Sequence, residues 1–520
     1  MEPSVDDAVM ATATGQMRAV LWGLGLALLA LVGPTQAQTP SLNGATFEAP
    51  PDPRWRAITS ADLEAAYRLL RDNDPGASPE LHDTMFLRRL EEAHHAALQR
   101  AQSVTSYPGY IAVMTSFANG MGDKHIRSRP TYVVNRPKWP GFIVGKHGDQ
   151  WVITDVEPSQ TALRGARVLS CDGVEIEALA RRNLAGFRGD WSIGAQQIQN
   201  APWLLVDEGN PFITRPSACA LEQRSETRTI ALDWEPIKRE ELLPRLTQAI
   251  GAGAAGFGVR KVGDGYWIAL QSLQGDQPPL VVKAVEAQKE ELRAARYVVL
   301  DLRGNGGGSA FVGDEIALAL FGREAVAARM GTDGGGDPVG CAGLPDGLWR
   351  ATADNIKALE ATGQTFGKKG YQDVQKFADQ EVAAMTAARA KGKDLAGDLN
   401  CPAPKIPPAS LVQAPSPMRG RLILLTDSLC FSACLSTTLE FRALGAYHVG
   451  QTTDAATHFV DLREEYMPSG YSTFTVLQSV HPEDPYQIGP FVPTLTYNGD
   501  IAATPALEKW IAETVLPSIS

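Results

Sequence analysis

The chain has 520 residues, 44% hydrophobic and 21% charged, with a formal net charge of −11. That length predicts two to four domains at about 150 residues each, and the ordinary apolar content excludes general disorder. The acidic balance excludes nucleic acid as a main partner, because phosphate binding needs a basic face.

Arg18 precedes an apolar run over 19–32, followed by Gly33-Pro34 and Thr35-Gln36-Ala37. A basic start, a short apolar stretch and small residues at the end describe a secretory signal cleaved after Ala37, with translation beginning at Met17. The run is shorter than the roughly 20 apolar residues of a membrane span, which favours a cleaved signal over the alternative, an uncleaved anchor. No cysteine follows it closely, so no lipoprotein is expected. The expected location is therefore secreted or periplasmic.

An oxidising compartment suits the six cysteines, 171, 219, 341, 401, 430 and 434. Cys171 with Cys219, and Cys341 with Cys401, are the expected disulfides, since each pair brackets one segment. Cys430 and Cys434 lack the second pair, or the His partners, that a zinc site needs. No metal or organic cofactor is expected.

After a proline-rich linker, Leu63, Ala66, Tyr67 and Leu70 recur at helical spacing, with Thr59 and Asp62 expected as a capping box. Phe86, Leu90, Ala93 and Ala97 mark a second helix; Tyr110, Val113, Met114 and Phe117 mark a third. Residues 1–37 are thus assigned to the signal and 38–128 to a helical domain. Short apolar runs between turns then predict strands at 141–144, 151–156, 166–171, 218–222 and 229–234, a β domain over 129–238. Its Gly-Phe loop and the Gly165–Gly173 turn resemble a PDZ domain, in which a peptide end adds as an edge strand. The other reading is a β domain that binds nothing.

From residue 239 to the end, strands at 266–270, 297–300, 422–425 and 447–449 alternate with helical patterns such as 316–321 and 433–444. Such alternation predicts an α/β layer with a largely parallel sheet. An insertion at about 331–418, helical over 355–361 and 373–390, reads as a lid or cap clasped by Cys341–Cys401.

Two segments carry candidate chemistry. The strand 297–300 runs into Asp301-Leu302-Arg303-Gly304-Asn305-Gly306-Gly307-Gly308, glycines whose bare backbone can present N–H groups to an oxyanion. It lacks the Gly-Lys-Ser/Thr ending of a phosphate loop, and Asp301 with Arg303 reads as a brace. The strand 422–425 runs into Asp427-Ser428-Leu429-Cys430-Phe431-Ser432-Ala433 and then a helix, placing a serine where a helix dipole favours a developing anion. Ser428 and Ser436 compete by the same logic, and any such serine is more commonly an N-cap. The segment is not the Gly-x-Ser-x-Gly elbow.

Together, "Asp-Leu-Arg-x-Asn-x-Gly-Gly" and the later "Ser-Ala-(Ser/Cys)" resemble peptidase family S41, the tail-specific and tricorn core proteases. Val449-Gly450-Gln451-Thr452-Thr453 resembles that family's "Val-Gly-Glu-x-Thr". The resemblance implies a multi-domain α/β (α+β) fold with a ClpP/crotonase-like core. It implies Ser432 as nucleophile and Gly307 and Ala433 as oxyanion amides. Tail-specific members take a base lysine from "Thr-x-Gly-Lys-Gly", but Thr453–His458 contains none. Tricorn-type members use an upstream "Asp-x-His", matched by Asp123-Lys124-His125, so His125 is the expected base and His458 the reserve. Lys124 replaces the tricorn serine beside the histidine. The acid orienting that histidine precedes a turn resembling Gly489–Pro493, which points to Glu483, with Asp461, Glu464 and Glu465 as alternatives. The implied function is an exported serine peptidase acting on peptides or unfolded chains. Its rivals are an esterase or amidase using the same serine, and a ligand-binding protein without catalysis.

Overall fold

The computed structural model describes residues 51–132, 136–253, 255–330, 347–397, 416–481 and 487–519. Three helices open it, Arg54–Asn73, Thr84–Ala101 and Tyr107–Gly120. The first starts a turn earlier than a capping box at Thr59 requires. Thr59 is buried inside the helix, its hydroxyl donating to Trp55 O, and Asp62 accepts from Tyr110. The first N-terminal turn therefore rests on Asp52-Pro53-Arg54 rather than on Thr59. Apolar faces of the three helices share one core with Phe459, Phe474, Val476 and Leu477 from far downstream.

Those downstream residues belong to a second sheet. Strands Phe459–Tyr466 and Ser472–Val480 form a long antiparallel pair. On the edge of Ser472–Val480 opposite Phe459–Tyr466, Ser128–Pro130 pairs with its start and Leu348–Arg350, followed by Leu395–Ala396, with its end. The described part of the insertion is thus built into a sheet. Its helices Ala353–Lys368 and Gln372–Ala390 pack on each other around Leu359, Phe377 and Met385. Asn355 ties it to the first helix, donating to Asn73 O. The expectation of a lid gives way to an integral layer over these residues; Cys341 and Cys401 lie outside the described residues.

The region after Trp139 forms an antiparallel sheet from Phe142–His147, Gln150–Val156, Arg167–Cys171, Ala218–Gln223 and Glu226–Ala231. Cys171 and Cys219 face each other in register and are disulfide-bonded, as their bracketing predicts. Between its strands, the short helix Gly194–Asn200 leaves the sheet and reaches the loop that carries Ser432, where Gln199 donates to Ser428 O.

The third sheet has the order Phe257–Val262, Gly265–Leu270, Tyr297–Asp301, Arg421–Thr426, Tyr447–Gly450, Leu495–Thr496. Every pairing after the first is parallel. Tyr297–Asp301 is buried throughout, as a strand covered on both faces must be. Helices Phe311–Phe321 and Ala433–Ala443 cover one face around Leu300, Ile316 and Leu424. Thr504–Trp510 and the turns after it cover the other around Val299 and Ile423. Ligands of such sheets bind beyond the carboxyl ends of the strands, and the glycine loop and the Ser432 turn leave from adjacent strands there.

Candidate active site

Asp301 and Arg303 brace the first loop as expected. Arg303 lies 2.7 Å from Asp301 through a fully buried pair, and also donates to Ile501 O and Thr504. Trp267 Nε1 donates to the same carboxylate. Asn305 then holds three elements together: its side chain donates to Leu270 O, its Oδ1 accepts Gly307 N–H at 2.9 Å, and its carbonyl accepts Phe431 N–H. Gly307 has φ +96°, and a Cβ there would lie 2.8 Å from Ser432 Cβ and 2.7 Å from Phe431 O. Only glycine lets the two loops approach so closely.

A buried carboxyl clips the loops from beneath. Asp427 accepts Gly304 N–H at 2.8 Å and Leu429 N–H at 3.0 Å. Burial pushes it up to about 7 against those hydrogen bonds, with the charge of Asp301 raising it further.

Ser432 sits at the amino end of Ala433–Ala443 with φ 58° and ψ −129°. A positive φ is rare for a non-glycine residue and clusters at functional sites. The Ser432 side chain caps no helical N–H, so the bland N-cap role does not apply. The sharp strand-to-helix turn follows the logic of a nucleophile elbow without its glycine signature. Ala433 N–H, in the first turn, has no backbone partner among the described residues. Gly307 N–H, by contrast, is already given to Asn305, so the two expected oxyanion amides differ in availability. Of the rival serines, Ser428 is fully buried and Ser436 is exposed along the helix.

His125 reaches this turn from 307 residues upstream, its Nε2 lying 3.0 Å from Ser432 Oγ. Its ring packs 4.6 Å from that of Phe431. Behind it, Asp123 Oδ1 lies 3.0 Å from Nδ1 and also accepts His125 N–H at 2.8 Å. Asp123 Oδ2 accepts from the Thr457 hydroxyl. Burial would raise the Asp123 carboxyl, but the charge and N–H groups of His125 and the Thr457 hydroxyl outweigh it and hold it below its usual range. Thr475 pins the backbone, donating to His125 O at 2.7 Å and accepting Arg127 N–H at 2.7 Å.

His458 does not meet Ser432; its ring stands edge-on to Phe459. Glu483 lies outside the described residues, and the Nδ1 position it was expected to face is occupied by Asp123. The alternatives are engaged elsewhere: Asp461 accepts from Ser479, Glu464 from Thr473, and Glu465 pairs with Arg463. Asp123 was legible in the motif that yielded His125. An Asx turn, Asp accepting the N–H two residues on, brings a carboxylate beside the ring with no long-range contact.

Two further features escape sequence reasoning. Lys124 pairs with buried Asp454 at 2.8 Å, and Gln196 and Gln199 of the helix Gly194–Asn200 donate to the same carboxylate. The antiparallel region is thereby docked beside the site. Cys430 and Cys434 are disulfide-bonded to each other across Ser432. Among the described residues no group of three or more His, Cys, Asp or Glu is placed to hold a metal ion, and no helix is long and apolar enough to cross a membrane.

A parallel sheet presenting a glycine loop beside a strained serine turn is matched by a known family: residues 267–478 fit the description "Peptidase family S41". This segment belongs to peptidase family S41. No curated protein matches the chain. Among solved structures, mature CPAF complexed with lactacystin is similar with a TM-score of 0.56 at 15% identity, over 89% of this chain and 100% of that one. A second structure of mature CPAF gives 0.56 and 15%, over 89% and 98%. At that identity the likeness is one of fold. His125 lies outside the S41 segment, and the Ser432 half lies inside it.

Proposed function

We propose that the chain is an exported serine peptidase with Ser432 as nucleophile and His125 as general base. The observation that carries this is the 3.0 Å approach of Ser432 Oγ to His125 Nε2, with Asp123 behind Nδ1. Ser432 Oγ attacks the scissile carbonyl carbon while its proton passes to Nε2. Asp123 fixes the ring so that Nδ1 carries its proton and Nε2 is free to accept, and it stabilises the imidazolium. The developing oxyanion takes Ala433 N–H at the positive end of its helix. Gly307 leaves room beside Ser432 by lacking a side chain, and its own N–H serves the oxyanion only by being shared with Asn305.

Collapse of the tetrahedral species returns the proton from Nε2 to the leaving amine and leaves an acyl-Ser432 ester. Water, deprotonated by the same nitrogen, hydrolyses that ester. Peptides or unfolded chains are the substrate class the family supports. The signal-like segment 18–37 and the two disulfides in the described residues support export to an oxidising space.

A fluorophosphonate probe tests the assignment. Labelling of the wild type that disappears in Ser432→Ala and in His125→Ala supports it. Labelling that persists in Ser432→Ala, or that is absent from the wild type, overturns it. Turnover of a peptide library but not of simple esters then selects peptidase over esterase, and amino-terminal sequencing of protein from the periplasmic fraction checks cleavage after Ala37.

A further inference from the structure

Resting on the reading of Ser432 as nucleophile, we propose that the Cys430–Cys434 disulfide is a positioning device that holds this serine in its reactive backbone conformation. The bridge closes a ring over Cys430-Phe431-Ser432-Ala433-Cys434 with Ser432 at its centre. Inside the ring lies the one junction of this turn at which an ordinary residue adopts a positive φ, 58° at Ser432. Left to itself a serine favours negative φ, and the helix beginning at Ala433 could then extend backward through Ser432. Such an extension swings the hydroxyl away from His125 and gives Ala433 N–H a carbonyl partner, closing the oxyanion site.

Hydrogen bonds also hold this ring, among them Cys434 N–H given to Phe431 O inside it. Upstream, Phe431 N–H is given to Asn305 O and Cys430 O accepts Asp454 N–H; downstream, Leu435 N–H returns to Ser432 O. The disulfide is the covalent tie between the two ends. Both sulfurs are fully buried, with Cys430 Sγ 3.5 Å from Thr438 Oγ1, so the bridge is packed into the helix base and not displayed for exchange at the surface. A bridge serving overall stability has no need to enclose five residues, since constraint of the unfolded chain grows with loop size. Cys171–Cys219, 48 residues apart, is the bridge that fits that purpose.

The test is the Cys430→Ala/Cys434→Ala double variant, in which two small buried apolar side chains replace the bridge. The expected result is a folded chain whose fluorophosphonate labelling rate and kcat fall about 10²-fold, the scale of a small misplacement, while KM for a peptide moves far less. A folded double variant that labels at the wild-type rate overturns the proposal, as does a loss confined to KM. Should the variant fail to fold, the wild type is reduced with dithiothreitol in low urea and returned to native buffer. The reductant closes to its cyclic disulfide as the bridge becomes two thiols, and alkylation with mass mapping shows that Cys430 and Cys434 are the ones freed. Slow labelling that recovers on reoxidation supports positioning. Full labelling of the reduced chain, or unfolding in both experiments, assigns the bridge to stability alone and sinks the idea. Ser432→Ala measured alongside separates this outcome from failure of the nucleophile assignment, because only the latter leaves Ser432→Ala labelled.

Discussion

The two halves of the site are built in different ways. The serine half grows from adjacent parallel strands, Tyr297–Asp301 and Arg421–Thr426, whose loops are stitched by Asn305, Asp427 and a glycine that tolerates close approach. The histidine half arrives on the loop after Tyr107–Gly120 and is held by a separate sheet, through Thr475 on Ser472–Val480 and Thr457 beside it. One half is local to a single sheet; the other depends on two layers meeting. The first should therefore survive damage to the second, and the reverse comparison is equally open to experiment.

Removing either reacting group gives the largest effect. Ser432→Ala and His125→Ala should each lower kcat by on the order of 10⁶-fold, and combining them should cost little more, because the two act as a unit. Additive losses measured in the double variant would mean that the halves do not cooperate. Asp123→Asn comes next, with a loss on the order of 10⁴-fold, because an amide no longer fixes the ring in the tautomer that leaves Nε2 free. His458→Ala is the control and should leave probe labelling unchanged.

Below these lies a pH effect confined to the serine half. Half-buried Asp314 on Phe311–Phe321 and buried Glu440 on Ala433–Ala443 interact; desolvation lifts Asp314 to about 7 and, with the charge of Asp314, lifts Glu440 well above its usual value. Their unfolded values lie near 4, so between about pH 4 and 7 the native state binds more protons. Stability attributable to the pair therefore falls as pH rises through that window. Asp314→Asn/Glu440→Gln should flatten the fall, so that the variant gains on the wild type by on the order of a few kcal/mol between about pH 5 and 8. Urea unfolding across that range reads it out. A stability difference independent of pH would show that the pair holds no extra proton.

Much of the serine half could be read in advance because its residues are contiguous. Apolar runs of strand length end at Asp301 and Thr426, and each gives way to a loop rich in glycine or serine. His125 and Asp123 are both legible in one short motif, whereas the resemblance points to an acid near the C-terminus, so the role of Asp123 emerges only from its contact with Nδ1. Ser432's backbone conformation, the ion pair of Lys124 with Asp454, and the bridge between Cys430 and Cys434 were not legible. The first depends on a turn whose sequence lacks the usual glycines. The second joins residues 330 apart. The third was hidden by spacing that also suits metal ligands. The insertion misled for a related reason: Leu348–Arg350 is too short to read as a strand, and only its pairing with Ser472–Val480 makes it part of a sheet.

The smallest effect is the one that tests the coupling between layers most directly. Thr475 is almost fully buried and its hydroxyl serves both His125 O and Arg127 N–H, so it touches the backbone of the base without touching the reacting atoms. Thr475→Val keeps the side-chain shape but leaves the buried His125 carbonyl and the part-buried Arg127 N–H without this partner, a stability cost of about 1–3 kcal/mol. If the second sheet positions His125, kcat should also fall about tenfold, equivalent to ~1.4 kcal/mol of transition-state stabilisation, with KM little changed. Melting temperature and rate measured on the same preparation separate the two effects. A variant that loses stability but keeps full kcat at a temperature where it is folded would mean that Asp123 and Phe431 suffice to orient the ring. The histidine half would then be as self-contained as the serine half, and the contrast between them would be one of chain path rather than of mechanics.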